Sequence, residues 1–337
     1  MPIKTMREAI NDALHLEMAR DPRVIVIGED VSGGAGGTSG SRDAAGGVFG
    51  LTRGLLPKFG EDRVIDTPIS EAAIVGAANG AALAGLRPVA EIMFCDFIGV
   101  CLDQILNQAA KFRYMFGGKA RAPLVIRMTM GAGMGAAAQH SQSIYPMLTS
   151  IPGLKVVMPS NPYDAKGLLL SAIRDDDPVI YFEHKMLYND TGEVPDGDYT
   201  VPFGEAALVR EGEDVTVVAC ARMVNIAAQA VDQLEAAGIS CDLIDLRTTS
   251  PLDEDTILES VRASGRLVIV DESSPRCGLA SDISALVAER AFRKLKAPIA
   301  RVMPPHSPVP FAPDLERLYI PDVARIDRAI RATATYA

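Results

Sequence analysis

The sequence predicts an α/β protein of two domains, with mainly parallel sheets covered by helices. Short apolar, strand-like runs alternate with helical patterns along all 337 residues, and this alternation is typical of parallel sheets. The chain is 48% hydrophobic and 23% charged, which suits a globular protein with sizeable cores. We therefore exclude a disordered or fibrous chain.

The order of the predicted elements gives the domain organisation. Six strands are predicted in the first part, at 24–27, 63–65, 89–93, 124–128, 155–158 and 179–182, with helices that include 103–116 and 162–174. Four more strands, interleaved with three helices, are predicted at 215–220, 241–245, 267–270 and 299–302. Between the two sets, a stretch rich in Gly, Asp, Pro and Tyr has no periodicity. We predict domains at 1–185 and 205–337, joined by a linker at 186–204.

Charge and composition exclude several classes of function. The net charge of −10 and the absence of a Lys/Arg cluster argue against nucleic acid as a partner. No apolar run reaches the roughly 18 to 20 residues that span a bilayer, so we expect a soluble, cytoplasmic protein. The five cysteines have no Cys-x-x-Cys spacing and no neighbouring histidine, which favours reduced core cysteines over disulfides or a zinc site.

Two glycine-rich stretches call for interpretation. The segment 32–47 contains seven glycines, and a loop of this length is either a surface excursion or part of an active site or subunit contact. The cluster Gly131 to Ala136 follows a strand and satisfies a Gly-x-Gly-x-x-Ala pattern. The dinucleotide fingerprint also needs an acidic residue after the next strand, which here ends in proline. A nicotinamide or flavin oxidoreductase is therefore only a minor alternative.

Two residues are candidates for acid/base chemistry. Glu71 lies between a short strand broken by Pro68 and a helix of small apolar residues. A carboxyl group in apolar surroundings resists ionisation and can share a proton near neutral pH, although a first-turn glutamate can also simply interact with the helix dipole. His140 lies on a loop without hydrophobic periodicity, where an imidazole can exchange protons or serve only a structural role.

Several motifs give these residues a family context. The chain resembles the beta subunit of the thiamine-diphosphate-dependent decarboxylating component of 2-oxo acid dehydrogenase complexes. The resemblance runs essentially end to end, and three stretches (the glycine-rich loop, 111–119 and 308–311) are most similar to the acetoin dehydrogenase branch. The general motifs occur in order at 66–71, 87–88, 103–104, 109–111, 138–142, 152–157, 175–178, 245–248 and 319–322.

The resemblance implies a transketolase-like fold, with a pyrimidine-binding domain followed by a transketolase carboxyl-terminal domain. It implies that Glu71 bonds the aminopyrimidine ring nitrogen of thiamine diphosphate and that Phe97 packs against this ring. Ile69 and Met93 are expected to contact the cofactor, and Glu29 matches an acidic position near it. His140 matches a histidine associated with transfer of the acyl group to the lipoyl arm.

An absent motif completes the prediction. Mg²⁺ on thiamine diphosphate is usually held by a Gly-Asp-Gly motif followed about 25 to 30 residues later by Asn. The two Gly-Glu-Asp-Val runs of the sequence, at Gly28 and Gly212, lack the second glycine and an asparagine at suitable spacing. We therefore expect a distinct alpha subunit to bind Mg²⁺ and the diphosphate. The resemblance implies a two-alpha, two-beta heterotetramer and, as a further partner, the lipoyl domain of a dihydrolipoyl acyltransferase. The resemblance also implies a monovalent cation, K⁺ being possible. Its expected ligands are Leu124, Ala172, Ile173, Asp175 and Asp177.

The predicted function is cleavage of acetoin with transfer of the acetyl unit to lipoamide. Pyruvate and branched-chain 2-oxo acids are the alternative substrates, and a noncatalytic scaffold subunit is the alternative from another class.

Overall fold

The computed structural model describes residues 1–33 and 46–336 and divides into two compact units. The first unit comprises residues 1–129, 148–183 and 187–203, and the second comprises 130–147, 184–186 and 204–337. Residues 34–45 lie outside the described part, so the role predicted for the glycine-rich loop stays a prediction.

The chain up to residue 203 contains eight strands and seven α-helices among the described residues. The strands are β1 Ile3–Thr5, β2 Val24–Glu29, β3 Val64–Thr67, β4 Arg87–Phe94, β5 Val125–Met130, β6 Lys155–Val157, β7 Val179–His184 and β8 Thr191–Glu193. The helices are α1 Met6–Arg20, α2 Leu55–Phe59, α3 Glu71–Leu83, α4 Ile98–Asp103, α5 Phe112–Met115, α6 Tyr145–Thr149 and α7 Pro162–Arg174.

A sheet with the strand order β6-β7-β5-β4-β2-β3 forms the centre of the first unit. Its central strands are buried on both faces, as is usual for parallel sheets. In the parallel register, Gly28 lies opposite both Asp66 and Glu91. The carboxyl ends of β2, β3 and β4 therefore lie along one edge, and that edge positions the residues predicted to bind the cofactor.

The second unit is built on a five-stranded sheet. Its strands are β9 Ala207–Arg210, β10 Val215–Ala219, β11 Cys241–Asp245, β13 Leu267–Val270 and β14 Ala300–Val302, and a further strand, β12, spans Thr248–Ser250. The helices are α8 Arg222–Glu235, α9 Glu254–Ser264, α10 Leu279–Ala291, α11 Pro313–Tyr319 and α12 Val323–Ala334. The sheet order is β14-β13-β10-β11-β9, with only β9 antiparallel to its neighbour.

The α/β class and all ten predicted strands are confirmed, with ends that differ by a few residues. The continuous helix predicted at 103–116 is wrong. The chain instead forms α4, a π-helical turn at Gln104–Ala109 and then α5. The side chain of Asn79 donates to the carbonyl oxygen of Gln104 at 2.8 Å, and a side chain inserted into the helical ladder favours such an irregularity.

Two smaller differences from the sequence predictions concern a pair of short strands and one cysteine. A short strand, β1, precedes the first helix and pairs with β8, which lies inside the predicted linker and was not predicted. Four cysteines are buried, but Cys277 is exposed, so the prediction of five core cysteines is wrong at that position. No helix in the described part of the chain is long and apolar enough to cross a membrane.

Candidate active site

Two carboxylates lie at the strand edge of the first unit. Glu29 is the last residue of β2, and Glu71 is the first residue of α3, where it is 9% exposed. Burial raises the pKa of Glu29, and the negative charges of Asp30 and Glu71 raise it further. Glu71 is thus close enough to Glu29 for its charge to act on that carboxylate.

Apolar and aromatic side chains lie on the elements that follow β3 and β4 and on β4 itself. Burial and the charge of Glu71 together raise the pKa of the Cys101 thiol to about 12, which disfavours the reactive thiolate form. Phe97 is partly buried, and its ring meets that of Phe94 edge to face, with the centroids 5.8 Å apart. Met93 is 8% exposed and lies where the register between β4 and β5 shifts, an irregularity that is frequent beside active sites. Ile69 is 74% exposed in the loop before α3.

A buried ionic network lies behind this edge, and sequence reasoning missed it. Arg127 is 1% exposed and donates to both oxygens of Glu183, at 2.7 and 3.0 Å, and to Glu91 at 2.9 Å. Tyr188 donates to Glu183 at 2.7 Å. Burial raises the pKa of Glu91, whereas the two carboxylates outweigh burial and raise the pKa of Arg127. The signal was present in the sequence, because Glu91, Arg127 and Glu183 each interrupt an apolar strand run and need a partner when buried.

The predicted cation ligands lie in the first unit and already have partners. The carbonyl oxygens of Ile173 and Asp175 both accept from Nη1 of Arg87 at 2.9 Å. The Leu124 carbonyl accepts from the Val179 N–H at 2.9 Å, and that of Ala172 accepts from the Asp175 N–H at 3.3 Å. The carboxylates are also paired, Asp175 with Lys155 and Asp177 with Arg113. Within the described residues, no group of three or more His, Cys, Asp or Glu side chains could hold a metal ion.

His140 belongs to the second unit. It lies on a segment without regular secondary structure, which agrees with the loop predicted there. The segment is closed at its base, where the Gly131 N–H donates to the Gln142 carbonyl at 3.0 Å. The ammonium group of Lys185 donates to the carbonyl oxygen of His140. The imidazole itself is partly exposed.

The glycine cluster of this segment binds carboxylates of its own chain. The Ala132 N–H donates to Glu272 at 2.6 Å, and the N–H groups of Gly133 and Gly135 donate to the two oxygens of Glu316 at 2.7 and 3.0 Å. Backbone N–H groups that are already bound to carboxylates do not form a phosphate cradle. This geometry argues against the nicotinamide or flavin alternative.

A small cavity of about 370 Å³ adjoins this segment within the second unit. Gln142, Ser143, Glu272, His306 and Tyr319 are among its lining residues. Glu272 also binds Nε2 of His184 at 2.9 Å. Burial alone would raise the pKa of Glu272, but His184 and the Ala132 N–H outweigh burial and lower it. Each oxygen of Glu272 therefore has a bond partner, and these partners favour its charged form.

Comparisons with known proteins place the chain in a family. Residues 4–191 match the family model of the transketolase pyrimidine binding domain, and residues 204–326 match that of the transketolase C-terminal domain. The chain is 61% identical over 329 residues to the acetoin:2,6-dichlorophenolindophenol oxidoreductase subunit beta of Cupriavidus necator, which covers 98% of this chain and 97% of that protein. The chain belongs to the transketolase-like dehydrogenase beta subunits.

Other beta subunits of this family match over similar lengths. The Bacillus subtilis protein of the same name is 57% identical over 96% of this chain and 94% of its own length. The 2-oxoisovalerate dehydrogenase subunit beta of Bacillus subtilis is 43% identical over the full length of both chains. A solved structure titled split gene transketolase, inactive beta4 tetramer, has a TM-score of 0.77 at 23% identity, covers 98% of both chains, and supports the fold alone. The resemblance inferred from the sequence motifs is confirmed.

Proposed function

We propose that this chain is the beta subunit of a thiamine-diphosphate-dependent acetoin dehydrogenase. With an alpha subunit, it cleaves acetoin and transfers the acetyl unit oxidatively to lipoamide. The observation that carries the proposal is the buried carboxylate of Glu71 at the start of α3, close to a second carboxylate, Glu29. Relatives named for acetoin match at 57 to 61% identity, against 43% for one named for 2-oxoisovalerate, which favours acetoin.

The residues of the first unit fit the pyrimidine half of the cofactor. The carboxyl group of Glu71 would hydrogen-bond the ring nitrogen of the aminopyrimidine and share a proton with that nitrogen. Phe97 would pack against the ring, and Met93 and the exposed Ile69 would supply apolar contacts. Glu29, whose pKa is raised by burial and by the charges of Asp30 and Glu71, would lie near the cofactor beside Glu71. When bound, thiamine diphosphate supplies the electron sink for cleavage of a carbon–carbon bond.

The diphosphate half is assigned to the partner. The sequence lacks the Gly-Asp-Gly motif, and the N–H groups of the glycine cluster already bind Glu272 and Glu316. We assign Mg²⁺ and the diphosphate to an alpha subunit, in a two-alpha, two-beta heterotetramer in the cytoplasm. The domain boundaries at 1–185 and 205–337 belong to the same proposal.

His140 is assigned to the transfer step. Its partly exposed imidazole lies on a segment whose backbone is held at several points, which suits a group that must meet an incoming substrate. We propose that it assists transfer of the acetyl unit to the lipoyl domain of a dihydrolipoyl acyltransferase. An imidazole suits this role because it exchanges protons near neutral pH.

We also propose a monovalent cation, K⁺, at Leu124, Ala172, Ile173, Asp175 and Asp177. These residues offer carbonyl and carboxylate oxygens, the ligands that hard cations take. Each carbonyl has a second lone pair beyond the one used by Arg87 or an N–H group. Thermal unfolding tests the site: the melting temperature should fall when K⁺ is replaced by a bulky organic cation. An unchanged melting temperature would rule the cation site out.

The role of Glu71 is tested in the enzyme co-expressed with its alpha subunit. Glu71→Ala should abolish exchange of the thiazolium proton, followed by NMR in deuterated buffer. Glu289→Ala, which removes an exposed glutamate from α10, is the control and should exchange normally. Undiminished exchange in Glu71→Ala would refute the assignment.

Substrate choice is tested with the same enzyme. Acetoin, pyruvate and branched-chain 2-oxo acids should be assayed side by side for lipoamide acylation, and acetoin should give the highest kcat/KM. A preference for pyruvate or a branched-chain acid would establish the alternative substrate class. No turnover of any of them, with an intact assembly, would instead support a noncatalytic scaffold subunit.

A further inference from the structure

The carboxyl-terminal edge of the sheet in the second unit is covered by a segment of the chain itself. β10 leads through α8 to β11 on one side, while β13 pairs with its other side. Doubly wound sheets usually bind ligands in the crevice at such a point. Here a segment of the chain itself occupies the crevice. Its Tyr145 donates at 2.6 Å to Asp271, which directly follows β13. The Tyr145 hydroxyl also lies 3.7 Å from the sulfur of Cys220, which directly follows β10.

The same segment is held from a second direction by Glu316 on α11. This carboxylate is 4% exposed, and each of its oxygens accepts one backbone N–H, from Gly133 and from Gly135. Hydrogen bonds to an ionised acceptor are stronger than neutral ones, and more so where water is excluded. Glu316 therefore fixes two peptide units, separated by one other, in the segment that carries His140.

The remaining contacts transmit this restraint to His140. The Gly131 N–H bond to Gln142 closes the segment, and Lys185 holds the carbonyl oxygen of His140 itself. With its base closed and its glycine turn fixed by Glu316, the segment leaves the His140 backbone little freedom. The flexible Gly-Ala-Gly-Met-Gly sequence would not supply such order alone, because glycine loses more conformational freedom than other residues when it is fixed.

We infer that Glu316 is a positioning residue that orders segment 131–142 and thereby orients the imidazole of His140 for acyl transfer. The inference rests on the proposed role of His140. Glu316 lies in the part of the chain that matches the transketolase C-terminal domain, whereas His140 lies in the part that matches the pyrimidine binding domain. The C-terminal part would then contribute to the transfer step through the backbone of the segment.

The experiment uses Glu316→Ala and Glu316→Gln in the co-expressed enzyme. Glutamine preserves the shape but has one acceptor oxygen, so it loses one of the two bonds and turns an N–H donor towards the other peptide. Asp314→Asn is the matched control, because Asp314 is exposed on the same helix and pairs only with Arg317 in the contacts described. Assembly of each variant is checked by size-exclusion chromatography.

Two measurements separate positioning from general damage. Hydrogen–deuterium exchange of peptides spanning 131–142 should be faster in both Glu316 variants, with other peptides unchanged. Acylation of the lipoyl domain should fall by about 10- to 100-fold, the loss expected from a small misplacement of a reacting group. Cleavage measured with an artificial electron acceptor should change by less than about twofold, since the misplaced group is not needed for that step.

His140→Ala, measured in parallel, distinguishes the two possible failures. If it keeps wild-type acylation, the proposed role of His140 is wrong, and the inference about its orientation falls with it. If His140→Ala loses acylation but both Glu316 variants match Asp314→Asn, only the positioning inference is overturned. Rapid exchange together with selective loss of acylation in Glu316→Gln supports it.

Discussion

The carboxyl-terminal edges of the two sheets differ in how their acidic groups are satisfied. In the first unit, Glu29 has a raised pKa from burial and from the charges of Asp30 and Glu71. In the second unit, Glu272 accepts bonds from Ala132 and His184, and its pKa is lowered. The difference shows that Glu272 is stabilised in its charged form by bonds to its own chain, whereas the surroundings of Glu29 disfavour its charged form.

The largest expected effect concerns the ionic network behind the first edge. Arg127→Met leaves Glu91 and Glu183 buried without their cation, so the free energy of unfolding should fall by about 3 to 5 kcal/mol. Arg210→Met is the control, because Arg210 and Asp232 form a pair whose side chains are 42% and 51% exposed. That loss should stay below about 1 kcal/mol. Equal losses in denaturant unfolding would mean that the buried network is not a special support of the first edge.

The next effect tests how tightly the second edge holds its segment. Gly131 has a φ of +94°, and a Cβ there would lie 2.1 Å from Nε2 of His184. Gly131→Ala should therefore cost about 3 kcal/mol through overpacking and backbone strain. Gly135 also has a positive φ, of +68°, but a Cβ there would meet nothing within 4 Å. Gly135→Ala should cost only about 1 to 2 kcal/mol, and similar costs for both would show that the His184 contact yields easily.

The sequence predicted one edge better than the other. The strands and Glu71 were accessible because apolar runs, Pro68 and a small-residue helix are local signals. The partners of the second edge were not, because Glu272 and Glu316 follow Ala132 and Gly133 by 140 and 183 residues. No local pattern encodes such pairs. The π-helical turn at Gln104–Ala109 escaped prediction for the same reason, since Asn79, which bonds it, lies 25 residues away.

A third prediction compares the response of the two edges to pH. The raised pKa of Glu29 means that the native state binds its proton more tightly than the unfolded state. Stability should therefore fall as the pH rises above the ordinary value of 4.5, and Glu29→Gln should remove this fall. The lowered pKa of Glu272 has the opposite sign. Its contribution is present above pH 4.5 and is lost as the pH falls through the lowered pKa.

Thermal unfolding between pH 3 and 8 separates the two contributions. The difference in melting temperature between wild type and Glu29→Gln should grow above about pH 4.5, whereas that between wild type and Glu272→Gln should shrink below about pH 4.5. If the difference in melting temperature changed with pH in the same way for both variants, the two edges would not differ in their electrostatics.

The smallest expected effect on stability concerns the apolar side chain that the first edge exposes. Ile69 is 74% exposed, so Ile69→Ala should change the free energy of unfolding by no more than about 0.5 kcal/mol. In the co-expressed enzyme the same variant should raise the KM for thiamine diphosphate, because the cofactor would cover this side chain. Leu318, which is likewise 74% exposed but lies on α11 in the second unit, provides the matched control. Leu318→Ala should leave this KM unchanged, and equal KM values for the two variants would mean that Ile69 does not contact the cofactor.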